Sequence, residues 1–317
     1  MRNKKTVSIG TRGSLLALWQ ARWVEARLKE LDSDLEVEIR VIQTTGDKIL
    51  DVPLAKIGGK GLFVKEIEEA LLSGQVDLAV HSVKDLPAEL PEGLILGAVP
   101  LREVPWDALI SREGLPFDRL RAGARIGTSS LRRQAQLLRR RPDLQIVSLR
   151  GNLDTRLRKL SSEGLDGIVL ALAGLSRMGW TDRVTEVLSA EVCLPAIGQG
   201  ALGIEVCQDA GERMPFLGLL NHLPSYQAVT SERAFLQRLE GGCQVPIAAL
   251  AEVGEGQLSL KGLVCSPQGD RWVSGSTQGR VEEAQELGWK LAERLLAEGA
   301  EAILEPIRQP PGRPHPE

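Results

Sequence analysis

The segment Leu239-Glu240-Gly241-Gly242-Cys243-Gln244-Val245-Pro246 places a thiol between two glycines and a proline. Glycine opens the backbone on one side and proline stiffens it on the other, so the segment reads as a loop that holds Cys243 where a reaction partner reaches it. A free cysteine is ordinarily a small buried hydrophobe. That reading holds for Cys193, Cys207 and Cys265, which sit in apolar runs such as Ile204-Glu205-Val206-Cys207. The second chemical resource is arginine: the 39 basic residues are 28 arginines and 11 lysines. A guanidinium grips a carboxylate or phosphate through a planar fork, which an ammonium lacks. Most of these arginines read as solvated surface groups. Those in small-residue turns carry the functional expectation: Arg12 within Gly10-Thr11-Arg12-Gly13-Ser14, Arg132 and Arg133 after Thr128-Ser129-Ser130, Arg150 before Gly151-Asn152, and Arg156 and Arg158 beyond it. Arginine in the first turn of a helix opposes the macrodipole unless an anion neutralises it.

Asp85 lies in His81-Ser82-Val83-Lys84-Asp85-Leu86-Pro87, just past the apolar run 76–80. A carboxylate at a strand end orients a substrate N–H or stabilises a developing cation; the plain alternative is a lysine–aspartate surface pair. His81 reads as a structural histidine. Lys56-Ile57-Gly58-Gly59-Lys60-Gly61-Leu62-Phe63 lacks the GK(S/T) ending of a phosphate-binding loop and reads as a mobile loop able to cover a cleft, with Lys56, Lys60 and Phe63 as its contacts.

These groups need a frame. Strand, small-residue turn and helix are expected over 7–31, and the same order recurs over 126–141. A second strand follows each, at 76–80 and 166–171. The echo predicts two related α/β lobes whose strand ends face one cleft, as ligands in open α/β sheets lie at carboxyl ends. Crossovers are expected at 97–100 and 194–200, with 201–206 returning to the first lobe. The domains expected are 1–99 with 200–217, then 100–199, then a small α+β unit over 218–308 carrying Cys243, and a disordered tail over 309–317. In the third unit the pattern predicts a helix over 225–239, strands at 248–253, 257–264 and 271–278, and a helix over 281–298. The chain has 317 residues, 43% hydrophobic and 26% charged, which suits several folded domains. Its net charge of −3 does not favour nucleic acid. It has no membrane-length apolar run and no export signal core, and its four cysteines and three histidines have no metal-site spacing. A cytoplasmic protein with no bound metal is expected.

The turn motifs at 9–14, 81–87, 127–133, 150–152 and 241–246, taken in order, resemble those of the porphobilinogen deaminase (hydroxymethylbilane synthase) family, and the resemblance runs from about Val7 to about Glu305. It implies a three-domain fold with two lobes like the periplasmic binding proteins, and a monomer. It implies a transferase of tetrapyrrole biosynthesis that joins four porphobilinogen molecules head to tail, with loss of ammonia, on a dipyrromethane cofactor. The cofactor is bound by a thioether to the loop cysteine, here Cys243, and water releases hydroxymethylbilane. The resemblance makes Asp85 catalytic. It assigns Lys84, Thr128, Ser129, Ser130, Arg132, Arg133 and Arg156 to the cofactor, and Arg12, Ser14, Arg150, Arg177 and Gln199 to substrate. Cofactor plus four substrates carry twelve carboxylates. At roughly 1.5–3 kcal/mol for each charged hydrogen bond the sum would reach or exceed the roughly 20 kcal/mol ceiling of non-covalent binding, so only some arms are expected to be held at once. The chain departs from the family at Val104, where an acidic residue is usual, which puts a hinge contact in question. The rival readings are a two-lobed carboxylate-binding or sensor protein, in which Cys243 has no role, and a cysteine-nucleophile hydrolase, for which His81, His222 and His315 would have to supply a base.

Overall fold

A computed structural model describes residues 6–48, 63–210, 214–240 and 245–308. Cys243, Lys56, Lys60 and the tail 309–317 lie outside the described residues.

β1 (Thr6–Thr11) leads through Arg12-Gly13-Ser14 into the helix Leu15–Leu31. The Ser14 Oγ accepts the Ala17 N–H, so the small-residue turn also caps the helix. β2 (Glu36–Val41), β3 (Leu78–Ser82), β4 (Leu94–Ala98) and β10 (Leu202–Cys207) complete a five-stranded sheet in the order β2-β1-β3-β10-β4. β1 is parallel to β2 and β3, and β10 runs antiparallel between β3 and β4. Alternation sorts its side chains: Val7, Ile9, Leu78, Val80, Ile204 and Val206 meet Ala21, Val24 and Leu28 of the first helix. Ala79 and Leu94 face the other way, onto Ile67 and Leu71 of the helix Lys65–Leu72.

The second sheet repeats the plan. β5 (Asp107–Ser111), β6 (Arg125–Gly127), β7 (Gln145–Val147), β8 (Gly167–Ala171) and β9 (Glu186–Val187) lie in the order β7-β6-β8-β5-β9. β6 is parallel to β7 and β8, and β5 is antiparallel to β8 and β9. In each lobe the antiparallel strand, β5 or β10, is the one the chain makes on arriving from the other lobe. The echo read from the turns is thus an echo of whole-sheet topology.

The third unit holds the helix Leu223–Arg238, the antiparallel sheet β11 (Ile247–Gly254), β12 (Gln257–Cys265) and β13 (Trp272–Arg280), and the helix Ala284–Leu295. Ala249, Ala251, Leu258 and Leu260 pack with Phe235, Leu291 and Leu295. Ala248, Leu250, Leu263 and Cys265 pack instead with Ala135 and Leu194 of the second lobe. The three expected strands are present, each extended by a residue or more. The last expected helix is shorter: a 3-10 turn occupies Val281–Glu283, the helix ends at Leu295, and Gly299 at φ 111 kinks the chain before a further helix, Glu301–Arg308. The crossover expected at 97–100 begins later, because Gly97 and Ala98 belong to β4.

The two connections between lobes are joined side by side. The Glu103 N–H donates to the Gly200 carbonyl at 3.3 Å. Gly200 has φ +87, and a Cβ there would lie 2.3 Å from the Glu103 carbonyl oxygen, so the approach requires glycine. Glu232, fully buried in the helix Leu223–Arg238, ties both connections to the third unit. It accepts from Arg102 Nη1 at 2.6 Å and Nη2 at 3.2 Å, from the Gly198 N–H at 2.6 Å and from the Ala251 N–H at 2.9 Å.

Candidate active site

Asp85 ends the one-turn 3-10 helix Val83–Asp85 that follows β3. The Val83 N–H donates to the Ala201 carbonyl at 3.1 Å, and Val83 and Leu86 are buried on either side of the Lys84-Asp85 pair. Apolar anchors thus hold the turn while Lys84 and Asp85 stay half-buried. Burial pushes the Lys84 ammonium down to about 8, opposed by Asp85 and reinforced by Arg133.

Across from it, the helix Leu131–Arg140 starts at Ser130, whose Oγ accepts the Arg133 N–H at 3.4 Å. The anion that Arg132 and Arg133 require at this helix start is supplied by the chain itself. Asp107, fully buried at the start of β5, accepts from Arg132 Nη1 at 2.7 Å on Oδ2 and from Arg133 Nη2 and Nε at 2.7 and 3.0 Å on Oδ1. Desolvation works against the Asp107 carboxylate, but the two guanidiniums outweigh it and hold it well below the usual carboxylate range. Arg132 also donates to the Leu194 carbonyl at 2.8 Å, and Arg133 to that of Val169 at 2.9 Å. Burial, then the Asp107 charge, pushes the neighbouring Cys193 thiol up to about 12, which keeps it an inert thiol.

Gln199 belongs to the same knot. Its Nε2 donates to the Pro105 carbonyl at 2.6 Å and to Asp107 Oδ1 at 3.0 Å, and its buried Oε1 has no hydrogen-bond partner among the described residues. Asp107, around which all this is built, was not singled out from the sequence. It stood in Pro105-Trp106-Asp107-Ala108, a segment read only as a hinge. The available signal was the need of Arg132 and Arg133 for an anion.

Thr128 is buried and its Oγ1 accepts the Ser130 N–H at 3.2 Å. Ser129 is exposed at the turn and its Oγ donates to the Leu149 carbonyl at 2.8 Å. Arg150 and Arg156 flank the start of the helix Leu153–Ser162, and the Arg156 Nε donates to the Gly151 carbonyl at 2.7 Å. Burial lowers the Arg156 guanidinium to about 10; Arg133 and Arg150 push the same way, and Asp85 opposes. The second lobe's Arg133 therefore lies within electrostatic reach of the first lobe's Lys84, and Arg156, beside Arg133 and Arg150, within reach of Asp85. This neighbourhood gathers several cations around one half-buried carboxylate, a setting that favours a polyanion.

Arg12 is engaged differently from the free substrate arginine that the sequence led us to expect. Its Nη2 and Nε donate to Asp47 at 2.5 and 3.2 Å, and its guanidinium stacks on the Phe63 ring at 4.3 Å. Desolvation raises the Asp47 carboxyl, but Arg12 and the Thr44 hydroxyl outweigh it and hold it below its usual value. Arg12, Ser14, Phe63, Gln20, Ser82 and Asp85 line one narrow cavity of about 50 Å3. Phe63, expected on a mobile loop, is thus part of the wall beside Asp85. Arg177 sits at the connections between lobes, donating to the Gly200 carbonyl at 2.7 Å, and burial lowers it to about 10 against the pull of Glu103. The hinge in question at Val104 is served by Glu103, which accepts the Val104 N–H at 2.9 Å and the Ser176 hydroxyl at 3.3 Å.

Residues 7–214 match the family model described as porphobilinogen deaminase, dipyromethane cofactor binding domain, and residues 226–297 match that described as porphobilinogen deaminase, C-terminal domain. The porphobilinogen deaminase of Carboxydothermus hydrogenoformans is 53% identical over 306 residues, covering 96% of this chain and 98% of that protein. That of Syntrophotalea carbinolica is 56% identical over 303 residues, covering 95% and 96%. Among solved structures, the periplasmic aliphatic sulphonate binding protein SsuA from Escherichia coli is similar over 74% of this chain and 71% of that one, at 15% identity and a TM-score of 0.39, a likeness too loose to argue from. With both family models matched in order and more than half of each relative's residues shared, this chain belongs to the porphobilinogen deaminase family.

Proposed function

We infer that the protein is a porphobilinogen deaminase, a transferase that condenses four porphobilinogen molecules head to tail with loss of ammonia and releases hydroxymethylbilane. The observation that carries the reading is that Lys84 of the first lobe and Arg156 of the second both act on Asp85, with Arg133 and Arg150 beside them, so cations from both lobes collect near one carboxylate. Porphobilinogen carries two carboxylates, and so does each ring of dipyrromethane, so this donor set fits both. When bound, dipyrromethane supplies the pyrrole carbon at which the chain is extended. Cys243 would hold it by a thioether.

The remaining roles fall to the chain's own residues. Lys84, Arg133 and Arg156, with Thr128, Ser129 and Ser130 at the helix start, take the cofactor's carboxylates; N–H groups there favour an anion. Arg132 and Arg133 also fix Asp107, as does Gln199. Arg150, Arg12, Ser14 and Arg177 receive substrate carboxylates, Arg12 by exchanging Asp47 for one. Asp85 faces the substrate's pyrrole N–H and stabilises the positive charge left on substrate when ammonia departs. Lys56 and Lys60 would cover the cleft beside the wall that Phe63 forms. The domains are 1–99 with 200–217, 100–199 and 218–308. We place the enzyme in the cytoplasm as a monomer; the free thiols of Cys193, Cys207 and Cys265 support a reducing compartment.

The test is the intact mass of the purified chain before and after incubation with porphobilinogen. The expected result is an excess of two linked pyrrole units, absent from Cys243→Ser, that grows with substrate. Asp85→Asn should keep the attached mass and lose about a hundredfold or more in turnover. Binding without any mass change in wild type would favour the two-lobed binding protein instead.

A further inference from the structure

The wall that carries Asp85 is backed by ionisable groups that the reading above does not use. Glu68, His81 and Glu205 come from the helix Lys65–Leu72, β3 and β10, and are 6%, 5% and 0% exposed. In the antiparallel pair, Gly203 lies opposite His81 and Glu205 lies opposite Ala79, so His81 and Glu205 are diagonal neighbours on one face. His81 Nε2 is 2.9 Å from Glu205 Oε2. The contact is close but off the hydrogen-bond line. His81 Nε2, Glu205 Oε1 and Oε2, and Glu68 Oε1 are all buried with no hydrogen-bond partner among the described residues.

Two carboxylates in so closed a space do not both stay ionised. Burial, then the Glu205 charge, pushes the Glu68 carboxyl up to about 7; His81 opposes and Glu69 adds. On the other side, from the helix Leu223–Arg238, Arg233 faces Glu205 and Tyr226 and donates to the Ala88 carbonyl at 3.0 Å. His81 also lines the cavity that Asp85, Ser82 and Gln20 line, so one residue borders both that cavity and the buried acids.

We propose that His81, held by the positioning residues Glu205 and Glu68, is the site's proton relay. This rests on the deaminase reading. In each condensation a carbon–carbon bond forms, the carbon–nitrogen bond of the incoming substrate breaks to release ammonia, and the attacked pyrrole carbon loses its hydrogen as a proton. The aminomethyl group enters as its ammonium and leaves as ammonia; the relay then takes the pyrrole proton through the imidazole into the Glu205–Glu68 pair and returns it to the cleft, where that ammonia takes it up and leaves as ammonium.

The experiment is the pH profile of kcat and KM for porphobilinogen in the cofactor-loaded enzyme, comparing wild type with Glu68→Gln and Glu205→Gln, each checked by intact mass for the attached cofactor. Wild type is expected to show an ionisation near 7 that Glu68→Gln removes. Both variants should lose about tenfold or more in kcat with KM within about twofold, since general acid–base transfer is worth about a hundredfold and the carboxylate-binding arginines are untouched. Profiles that superimpose on wild type overturn the relay. If the variants do not fold, the His81 ring is titrated in wild type by nitrogen NMR: two linked steps support the relay, and a single step near an ordinary histidine value overturns it. Wild type that turns over no porphobilinogen overturns the deaminase reading itself, a different outcome.

Discussion

Glu232→Gln isolates the joint between the two connections and the third unit. Four N–H donors converge on the buried carboxylate, two from Arg102 and one each from Gly198 and Ala251. Glutamine keeps one acceptor oxygen and replaces the other with a donor. Whichever way the amide turns, one corner faces an N–H: on the Oε1 side Arg102 Nη1 and Ala251, on the Oε2 side Gly198 and Arg102 Nη2. One buried backbone N–H left unsatisfied costs about 1–3 kcal/mol. The guanidinium, only 10% exposed, also loses its counter-charge. Breaking a buried pair costs about 3–5 kcal/mol, and because the two losses overlap, the total expected stays within that range. Urea unfolding followed by tryptophan fluorescence measures it. Arg102→Met should cost a similar amount and the double variant less than the sum, with about 2 kcal/mol of coupling. Glu232→Gln within about 1 kcal/mol of wild type would refute the joint.

Gly200→Ala forces a Cβ to 2.3 Å from the Glu103 carbonyl at a left-handed φ, so it should destabilise by about 2–4 kcal/mol and spread the two connections, read as a lower urea midpoint and a larger radius in solution scattering. Lys84 titrates lower in the folded chain than unfolded, so the unfolded chain binds more protons between about 8 and the ordinary lysine value of 10.5. Its cost to stability is therefore full below pH 8 and fades as pH rises through that window. Lys84→Met should accordingly be more stable than wild type by about 1–3 kcal/mol at pH 7, with the gain shrinking by pH 10; a gain that does not change with pH would refute the assignment.

What was legible in the sequence was local. Ser14, Ser130 and Asn152 mark helix starts because capping and turn chemistry act over a few residues, and the α/β plan follows from apolar runs between those turns. Asp107 was not legible: Arg132 and Arg133 lie some 25 residues away and Gln199 92 away, and only the folded sheet brings them together. Glu232 and Glu205 look like ordinary helix and strand positions, since sequence does not say which charge is buried. The helix Glu301–Arg308, with Pro306 inside it, was not expected, and the Arg12–Asp47 pair was not legible because its partners lie 35 residues apart.

The order of strands in the first sheet also bears on how the chain is made. β10 stands between β3 and β4, yet it is translated after all of β5–β9. A nascent chain on the ribosome therefore carries an incomplete first sheet, with β4 lacking its neighbour, until residue 207 has emerged. The second sheet lies wholly within 107–187 and has all its strands before then. The middle of the chain should become protease-resistant first during synthesis, against the usual amino-terminal-first order, and the exposed edges of β3 and β4 are where a chaperone would be needed in the interval.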